Sequence, residues 1–161
     1  MERGKFAGFD HVDARVRNLA GVRSFYDVLM PALGLTDVHE APGEVEYYHP
    51  PVGTHAPRPF FGLHEDPGHQ PNETCLAFTA TTPADVDRLA QIAYAAGAAD
   101  MEGPEIPYSS ERYYAVFFRD PEGNRIEICY RRAHDDLRDR ARRDADDFLA
   151  CGASPGWLGC L

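Results

Sequence analysis

The feature that most constrains the fold is an internal repeat. A strand-like segment with alternating apolar and polar residues at 9–16 is followed by a helical pattern at 19–34. The same order returns at 74–79 and 83–97, so the two copies are offset by 63 or 64 residues. A chain that repeats a strand and a helix in this way is expected to fold as two copies of one unit.

Each copy continues with three further strand-like runs after its helix. Asn18 and either Thr81 or Thr82 are suitable N-caps for the two helices, and Pro31 with Gly34 and then Gly97 are suitable stops. The later runs lie at about 35–40, 44–49 and 58–65, and at about 99–106, 112–119 and 125–131. Each unit therefore reads as βαβββ, which predicts an α+β protein.

The repeat also defines the expected domain organisation. We predict one domain over 1–131, with modules at about 7–65 and 73–131, and a C-terminal extension over 132–161. The extension includes a segment at 133–150 that is rich in Asp and Arg and has few apolar residues, which is typical of a solvated helix.

Three potential metal ligands fall on strand faces that are not needed for the core. In the first strand, Val12, Ala14 and Val16 form the apolar face, which places His11 on the opposite face. The isoleucines on either side of Glu127 are the expected core residues of their strand, so the Glu127 side chain faces away from the core. The apolar residues after Cys75 direct the Cys75 side chain away from the core in the same way, and both side chains are potential metal ligands. A carboxylate between two isoleucines at a strand centre is expensive to bury unpaired, so we expect Glu127 to face a polar cup.

The repeat suggests a fourth candidate ligand in the first module. A counterpart of Glu127 is expected near position 63, and His64 lies one residue away. Because a slip of one residue moves a side chain to the other face of a strand, either His64 or Leu63 could occupy this place. The role of Cys75 also has two alternatives, since it could be a ligand or a small buried apolar residue.

These features resemble the vicinal oxygen chelate superfamily, which includes glyoxalases, extradiol dioxygenases, fosfomycin-resistance transferases and bleomycin-binding proteins. The resemblance covers roughly residues 7–131 and includes Asp10-His11-Val12, Cys75-Leu76-Ala77-Phe78 and the closing motif Phe118-Arg119-Asp120-Pro121-Glu122-Gly123-Asn124-Arg125-Ile126-Glu127. The chain is most similar to the glyoxalase-like subgroup. The resemblance implies two modules that form a metal-binding cup, with His11 and Glu127 as ligands. The family usually has His where this chain has Cys75, and a thiolate favours Zn or Fe over Mg.

The resemblance implies a glyoxalase-like enzyme that uses a divalent metal (Zn, Fe, Ni or Mn) on a small oxygen-rich substrate. The reaction would be of the lyase, isomerase or dioxygenase type, with Glu127 as a ligand or general base. Tyr113, Tyr114 and Arg15 are the candidate substrate contacts. The alternative is a non-catalytic dimeric protein of the bleomycin-resistance type that binds a drug or metabolite.

Composition narrows the expected partners and location. With 16 basic and 26 acidic residues, the formal net charge of -10 argues against binding to nucleic acid or to an anionic membrane surface. We see no signal peptide, no apolar run of membrane-spanning length and no CxxC pair among the four cysteines, so a cytoplasmic protein is expected. The resemblance adds a homodimer as the expected assembly.

Overall fold

A computed structural model describes residues 8–51, 58–105 and 113–131 of the chain. The predicted extension over 132–161, including its helix, lies outside the described residues. No helix in the described ranges has both the length and the apolar character required to cross a membrane.

The structure confirms two βαβββ modules. The first consists of β1 (His11–Val16), α1 (Leu19–Ala32), β2 (Asp37–Ala41), β3 (Glu44–Tyr48) and β4 (Phe60–Glu65). The second consists of β5 (Cys75–Thr79), α2 (Pro83–Ala96), β6 (Ala99–Glu105), β7 (Tyr113–Arg119) and β8 (Arg125–Arg131). The order of elements within each module is that predicted from the repeat.

Each module forms one mixed four-stranded sheet, with strand orders β1-β4-β3-β2 and β5-β8-β7-β6. The first strand of each module is parallel to its last strand, as β1 is to β4 and β5 is to β8. The same topology in both sheets shows that the sequence repeat is a structural repeat.

The helix boundaries follow from capping residues. The Asn18 side chain accepts a hydrogen bond from the Gly21 backbone N–H at 3.1 Å, and Thr82 accepts one from the backbone N–H of Asp85 at 3.1 Å. Gly97 ends α2 with a φ of 110°, a left-handed conformation that favours glycine. Pro31 lies within the last turn of α1, one residue before the helix ends.

The core lies between the helices and one face of each sheet, and it includes residues of both modules. Phe25 of α1 packs edge-on against Phe118 of β7, and Phe61 of β4 packs edge-on against Phe78 of β5. The face of each sheet away from its helix takes the remaining side chains of the strands, as the alternating burial of β1 and β3 shows. We call these two faces the first open face, on β1–β4, and the second open face, on β5–β8. On the second, the side chains of Tyr113, Ala115, Glu127 and Cys129 are buried.

The turn between β7 and β8 connects the two modules. Buried Asp120 accepts a hydrogen bond of 2.7 Å from the hydroxyl of buried Tyr26 on α1. The Glu122 carboxylate accepts from the backbone N–H groups of Arg17 and Asn18 at the start of α1. These two residues come directly before α1, so the Glu122 carboxylate lies near the helix N-terminus and complements the helix dipole.

Candidate functional site

The first open face brings together two of the predicted ligands. His11 and Asp13 project from β1 on the side opposite the core, and β1 pairs with β4 so that Asp13 lies beside Gly62 and Arg15 beside His64. Leu63 is fully buried in the core. Of the two alternatives for the fourth position, the structure therefore places His64 on the open face with His11.

Gly62 allows the Asp13 side chain to lie over β4. A Cβ atom at position 62 would stand 2.5 Å from Asp13 Oδ1, so the carboxylate occupies space that any other residue would fill. As a result, Asp13 lies between the two histidines. Its Oδ1 is 3.3 Å from His64 Nε2, and its Oδ2 is 4.0 Å from His11 Nε2.

The other nitrogen of each imidazole is held by a different carboxylate. His11 Nδ1 lies 2.9 Å from Asp10 Oδ2, and His64 Nδ1 lies 3.3 Å from Glu44 Oε2. The hydrogen bond to Asp10, together with the negative charge of Asp13, raises the pKa of His11 above its ordinary value. Histidines that ligate metals usually have their second nitrogen held in this way, which fixes the ring orientation.

A row of aromatic rings in contact crosses the same face, with one ring from each strand. The His11 and Phe60 rings stack at 4.7 Å with an interplanar angle of 9°. Tyr48 lies 4.7 Å from Phe60 and 4.9 Å from His39, and the Arg58 guanidinium lies 4.9 Å above the Tyr48 ring. These contacts restrict the His11 ring further and give the face an aromatic surface.

The second open face has a different environment around Glu127. This carboxylate is only 8% exposed, and Tyr113 donates its hydroxyl hydrogen bond to Glu127 Oε1. A small apolar cluster of Tyr113, Ala115 and Cys129, with Phe117 against it, occupies the same side of the sheet. Among the described residues, Glu127 therefore lies on the face away from the core, where its surroundings include the Tyr113 hydroxyl and the apolar side chains of this cluster.

Cys75 lies at the exposed start of β5, beside Arg125 of β8. Partial desolvation of its sulfur raises the pKa of the thiol, and the negative charge of Glu127 raises it further. The thiol is thus protonated at neutral pH, and a metal would have to displace that proton.

The three predicted substrate contacts occupy different places. Tyr113 faces the second open face and contacts Glu127. Tyr114, the next residue, faces the helix side, where its hydroxyl donates to Asp87 of α2 at 2.7 Å. This alternation places Tyr113 and Tyr114 on opposite faces of the second sheet. Arg15 is exposed on β1, two residues beyond Asp13.

The residues present fit a divalent transition metal in their chemistry but are divided between two faces. Imidazole and carboxylate donors suit Zn, Fe, Mn and Ni, and His11, Asp13 and His64 supply both kinds. Within the described ranges, no three His, Cys, Asp or Glu side chains stand close enough together to hold an ion. Glu127 and Cys75 belong to the second open face, so the four predicted ligands do not form one cluster.

Comparison with known proteins places the chain in a family. The family model of the Glyoxalase/Bleomycin resistance protein/Dioxygenase superfamily matches residues 8–128 of the sequence. The chain belongs to this superfamily. No curated protein matches the sequence. The superfamily includes metal-dependent glyoxalases, dioxygenases and fosfomycin-resistance enzymes.

Solved structures of the superfamily share the fold. A glyoxalase/bleomycin resistance protein from Albidiferax ferrireducens T118 is 28% identical, with a TM-score of 0.61, and the match covers 77% of this chain and 98% of that one. The fosfomycin resistance protein FosX from Mesorhizobium loti is 17% identical, with a TM-score of 0.57 and coverages of 83% and 99%. FosX from Listeria monocytogenes, solved with Mn(II) and sulfate, is 16% identical, with a TM-score of 0.57 and coverages of 85% and 99%.

Asp13, Glu44 and Gly62 build the arrangement around His11 and His64 but were not among the predicted site residues. Asp13 had a usable signal, because it shares a strand face with His11 two residues away. The roles of Glu44 and Gly62 depend on the register of β3 and β1 against β4, which no local pattern reveals.

Proposed function

We propose that this chain is a divalent-metal-dependent enzyme that acts on a small oxygen-rich substrate by lyase, isomerase or dioxygenase chemistry. Its metal ligands are His11 and Glu127, with His64 and Cys75 as further candidates. The observation that carries the proposal is the pair of histidines on the first open face. Each has Nδ1 beside a carboxylate, and each directs Nε2 towards Asp13.

The residues of the first open face have defined tasks in this proposal. Asp10 and Glu44 hold the two imidazole rings, and stacking on Phe60 limits rotation of His11. Asp13 supplies negative charge between the two Nε2 atoms. A divalent ion, when bound, would withdraw charge from two neighbouring oxygens of a substrate.

Glu127 has two possible tasks, as a ligand or as a general base. Its low exposure limits competing contacts with water, and the Tyr113 hydroxyl fixes one oxygen of the carboxylate. The other oxygen can then accept a proton from a carbon or hydroxyl of the substrate, or bind a cation. Tyr113 is accordingly a positioning residue for Glu127.

The assembly we propose is a homodimer. The first open face offers two histidines and a carboxylate, whereas the second offers Glu127 and Cys75. A complete ligand set would form where a first open face meets a second open face, and a partner chain can supply the missing one.

Elemental mass spectrometry on protein purified without chelator or affinity tag tests the metal. We expect about one Zn, Fe, Ni or Mn per chain in the wild type and strongly reduced metal in His11→Ala and in Glu127→Ala. His39→Ala is the matched control, because this exposed histidine lies on β2 at the far edge of the same sheet.

An empty protein that also takes up no added metal would contradict the enzyme proposal and favour the drug- or metabolite-binding alternative. Loss of metal in His39→Ala as well would show that the histidine substitutions act through general damage to the face. If metal is retained only when His11 and Glu127 are both intact, these two residues act on one site.

Mixed dimers test the assembly. Light scattering should give twice the chain mass, and co-expression of His11→Ala with Glu127→Ala chains should recover metal that neither variant binds alone. Recovery is expected because one site of each mixed dimer would have both ligands intact. A monomer, or a mixed dimer without metal, would contradict a site shared between chains.

A further inference from the structure

A small cavity lies where β1 of the first module meets the second module. Its volume is about 150 Å³. Asp13 and Arg15 line it from β1, and Asn72, Thr74 and Arg125 line it from the segment before β5 and the start of β8. Ala14 and Leu76 add apolar wall. The cavity is thus next to the first open face, and none of the four proposed metal ligands lines it.

Arg15 is the unexplained residue of this cavity. In the described part of the chain its guanidinium makes no hydrogen bond and no ion pair, although the arginines at positions 17, 23, 58, 88, 119 and 125 each pair with a carboxylate. The backbone around it is fixed, because Asn124 Nδ2 donates to the carbonyl oxygen of Arg15 at 3.3 Å. An anchored strand therefore presents an unpaired cation to the cavity.

Other donors converge on the same space. Asn72 Oδ1 accepts from the Thr74 backbone N–H at 2.7 Å, so the side-chain NH₂ of Asn72 is the part left to contact a ligand. Arg125 is positioned by Glu73 at 3.3 Å and by the Phe117 ring, 5.4 Å from its guanidinium carbon. Two guanidinium groups, one amide and the Thr74 hydroxyl form a donor-rich lining.

The charge of this lining contrasts with that of the molecule. The chain has a formal net charge of -10, yet two arginines face the cavity against one carboxylate. That carboxylate, Asp13, is already close to two histidines. A space of this volume accommodates a group of a few heavy atoms, and forked guanidinium donors match the oxygens of a carboxylate or phosphonate.

We propose that this cavity is an anion-binding subsite, with Arg15 as its principal contact, for the carboxylate or phosphonate group of a small ligand. Because Arg15 pairs in register with His64, an anion held there would place its neighbouring oxygens beside the two histidines. The anion subsite stands by itself, and only the statement that its ligand is the substrate rests on the proposed function.

Titration of metal-free protein with methylphosphonate and with acetate, at ionic strength held constant with sodium chloride, tests the subsite. We expect saturable shifts of the backbone amide NMR signals of Ala14 and Leu76, which line the cavity and are present in every variant, with Kd on the order of millimolar. Arg15→Gln should weaken binding about tenfold or more, and Arg15→Lys should weaken it less, because charge is kept and the fork is lost. Asp13→Asn should strengthen binding several-fold by removing repulsion.

Arg88→Gln is the matched control, since this exposed arginine on α2 loses the same charge away from the cavity. No saturable shift up to tens of millimolar, or equal weakening by Arg15→Gln and Arg88→Gln, would overturn the subsite. Because the titration uses metal-free protein, anion binding without any metal uptake would contradict the metal enzyme and leave the subsite standing. Metal uptake without anion binding would contradict the subsite and leave the proposed metal enzyme standing.

Discussion

The two modules use their carboxylates in opposite ways. In the first, Asp13 and Glu44 are partly exposed and lie beside His64 on the open face. In the second, Asp120 and Glu127, the two buried charged residues in the described ranges, each accept a hydrogen bond from a tyrosine hydroxyl. The same topology thus carries adaptable carboxylates on one sheet and fixed carboxylates on the other.

The difference has a physical reason. A buried carboxylate requires preorganised donors, since leaving it without them costs several kcal/mol in a medium of low polarity. An exposed carboxylate remains solvated and can exchange a water or a protonated histidine for a cation at little cost. We therefore expect substitutions of the buried carboxylates or of their tyrosine donors to lower stability, in addition to any loss of metal in Glu127 variants, and substitutions on the first open face to affect binding with little change in stability.

Asp120→Ala should have the largest effect on stability. Asp120 is 1% exposed and accepts bonds from the Tyr26 hydroxyl, from the backbone N–H groups of Glu122 and Asn124, and from the Asn124 side chain. Its removal leaves these donors unpaired and should lower the free energy of unfolding by about 3 kcal/mol or more in a urea titration. Asp66→Ala, in an exposed turn where one backbone N–H is bound, should cost less than about 1 kcal/mol.

Equal losses from Asp120→Ala and Asp66→Ala would contradict the contrast between buried and exposed carboxylates. Tyr26→Phe tests the same contact from its other partner, because it removes a single donor. Its loss in free energy of unfolding should fall between the losses of the two aspartate variants.

Tyr113→Phe should have the next largest effect. It removes the hydroxyl that donates to buried Glu127 and should lower the free energy of unfolding by about 2 kcal/mol. Tyr48→Phe is the matched control on the first open face, where a half-buried tyrosine donates to Glu46 at 2.8 Å. There the loss should be less than about 1 kcal/mol, since water can replace the lost partner. A larger loss of free energy of unfolding from Tyr48→Phe than from Tyr113→Phe would contradict the contrast between the two sheets.

The sequence predicted what depends on local pattern and missed what depends on register. The repeat offset of about 64 residues was sufficient to predict the order of all ten strands and helices described, because both copies carry the same periodicity. Strand alternation placed His11 and Glu127 on the open faces. The position of Asp13 over Gly62 and the bond from Tyr113 to Glu127 could not be predicted, since each joins separate strands whose relative shift is set by tertiary packing.

Asp13→Asn should leave stability nearly unchanged and affect binding. Its side chain is 34% exposed, so we expect the free energy of unfolding to change by about 0.5 kcal/mol or less. The loss of negative charge between the two histidines should weaken metal binding about tenfold, as measured by competition with a chromophoric chelator. Glu40→Gln, an exposed change on β2 that removes the same charge, is the control. An Asp13→Asn protein that binds metal as the wild type does would exclude Asp13 from the site.

The smallest effect we predict concerns the thiol of Cys75. Burial and the charge of Glu127 both raise its pKa, and only the thiolate is alkylated, so the rate of alkylation should reach half its maximum at a higher pH than in an unfolded peptide. Glu127→Gln removes the charge but not the burial, so the midpoint should move down and stay above the peptide value. Alkylation is followed by mass spectrometry of the peptide that contains Cys75, with Glu40→Gln as the control. A midpoint that does not move in Glu127→Gln would mean that the fixed carboxylate does not influence the exposed start of β5. The second open face would then supply two independent groups instead of a coupled pair.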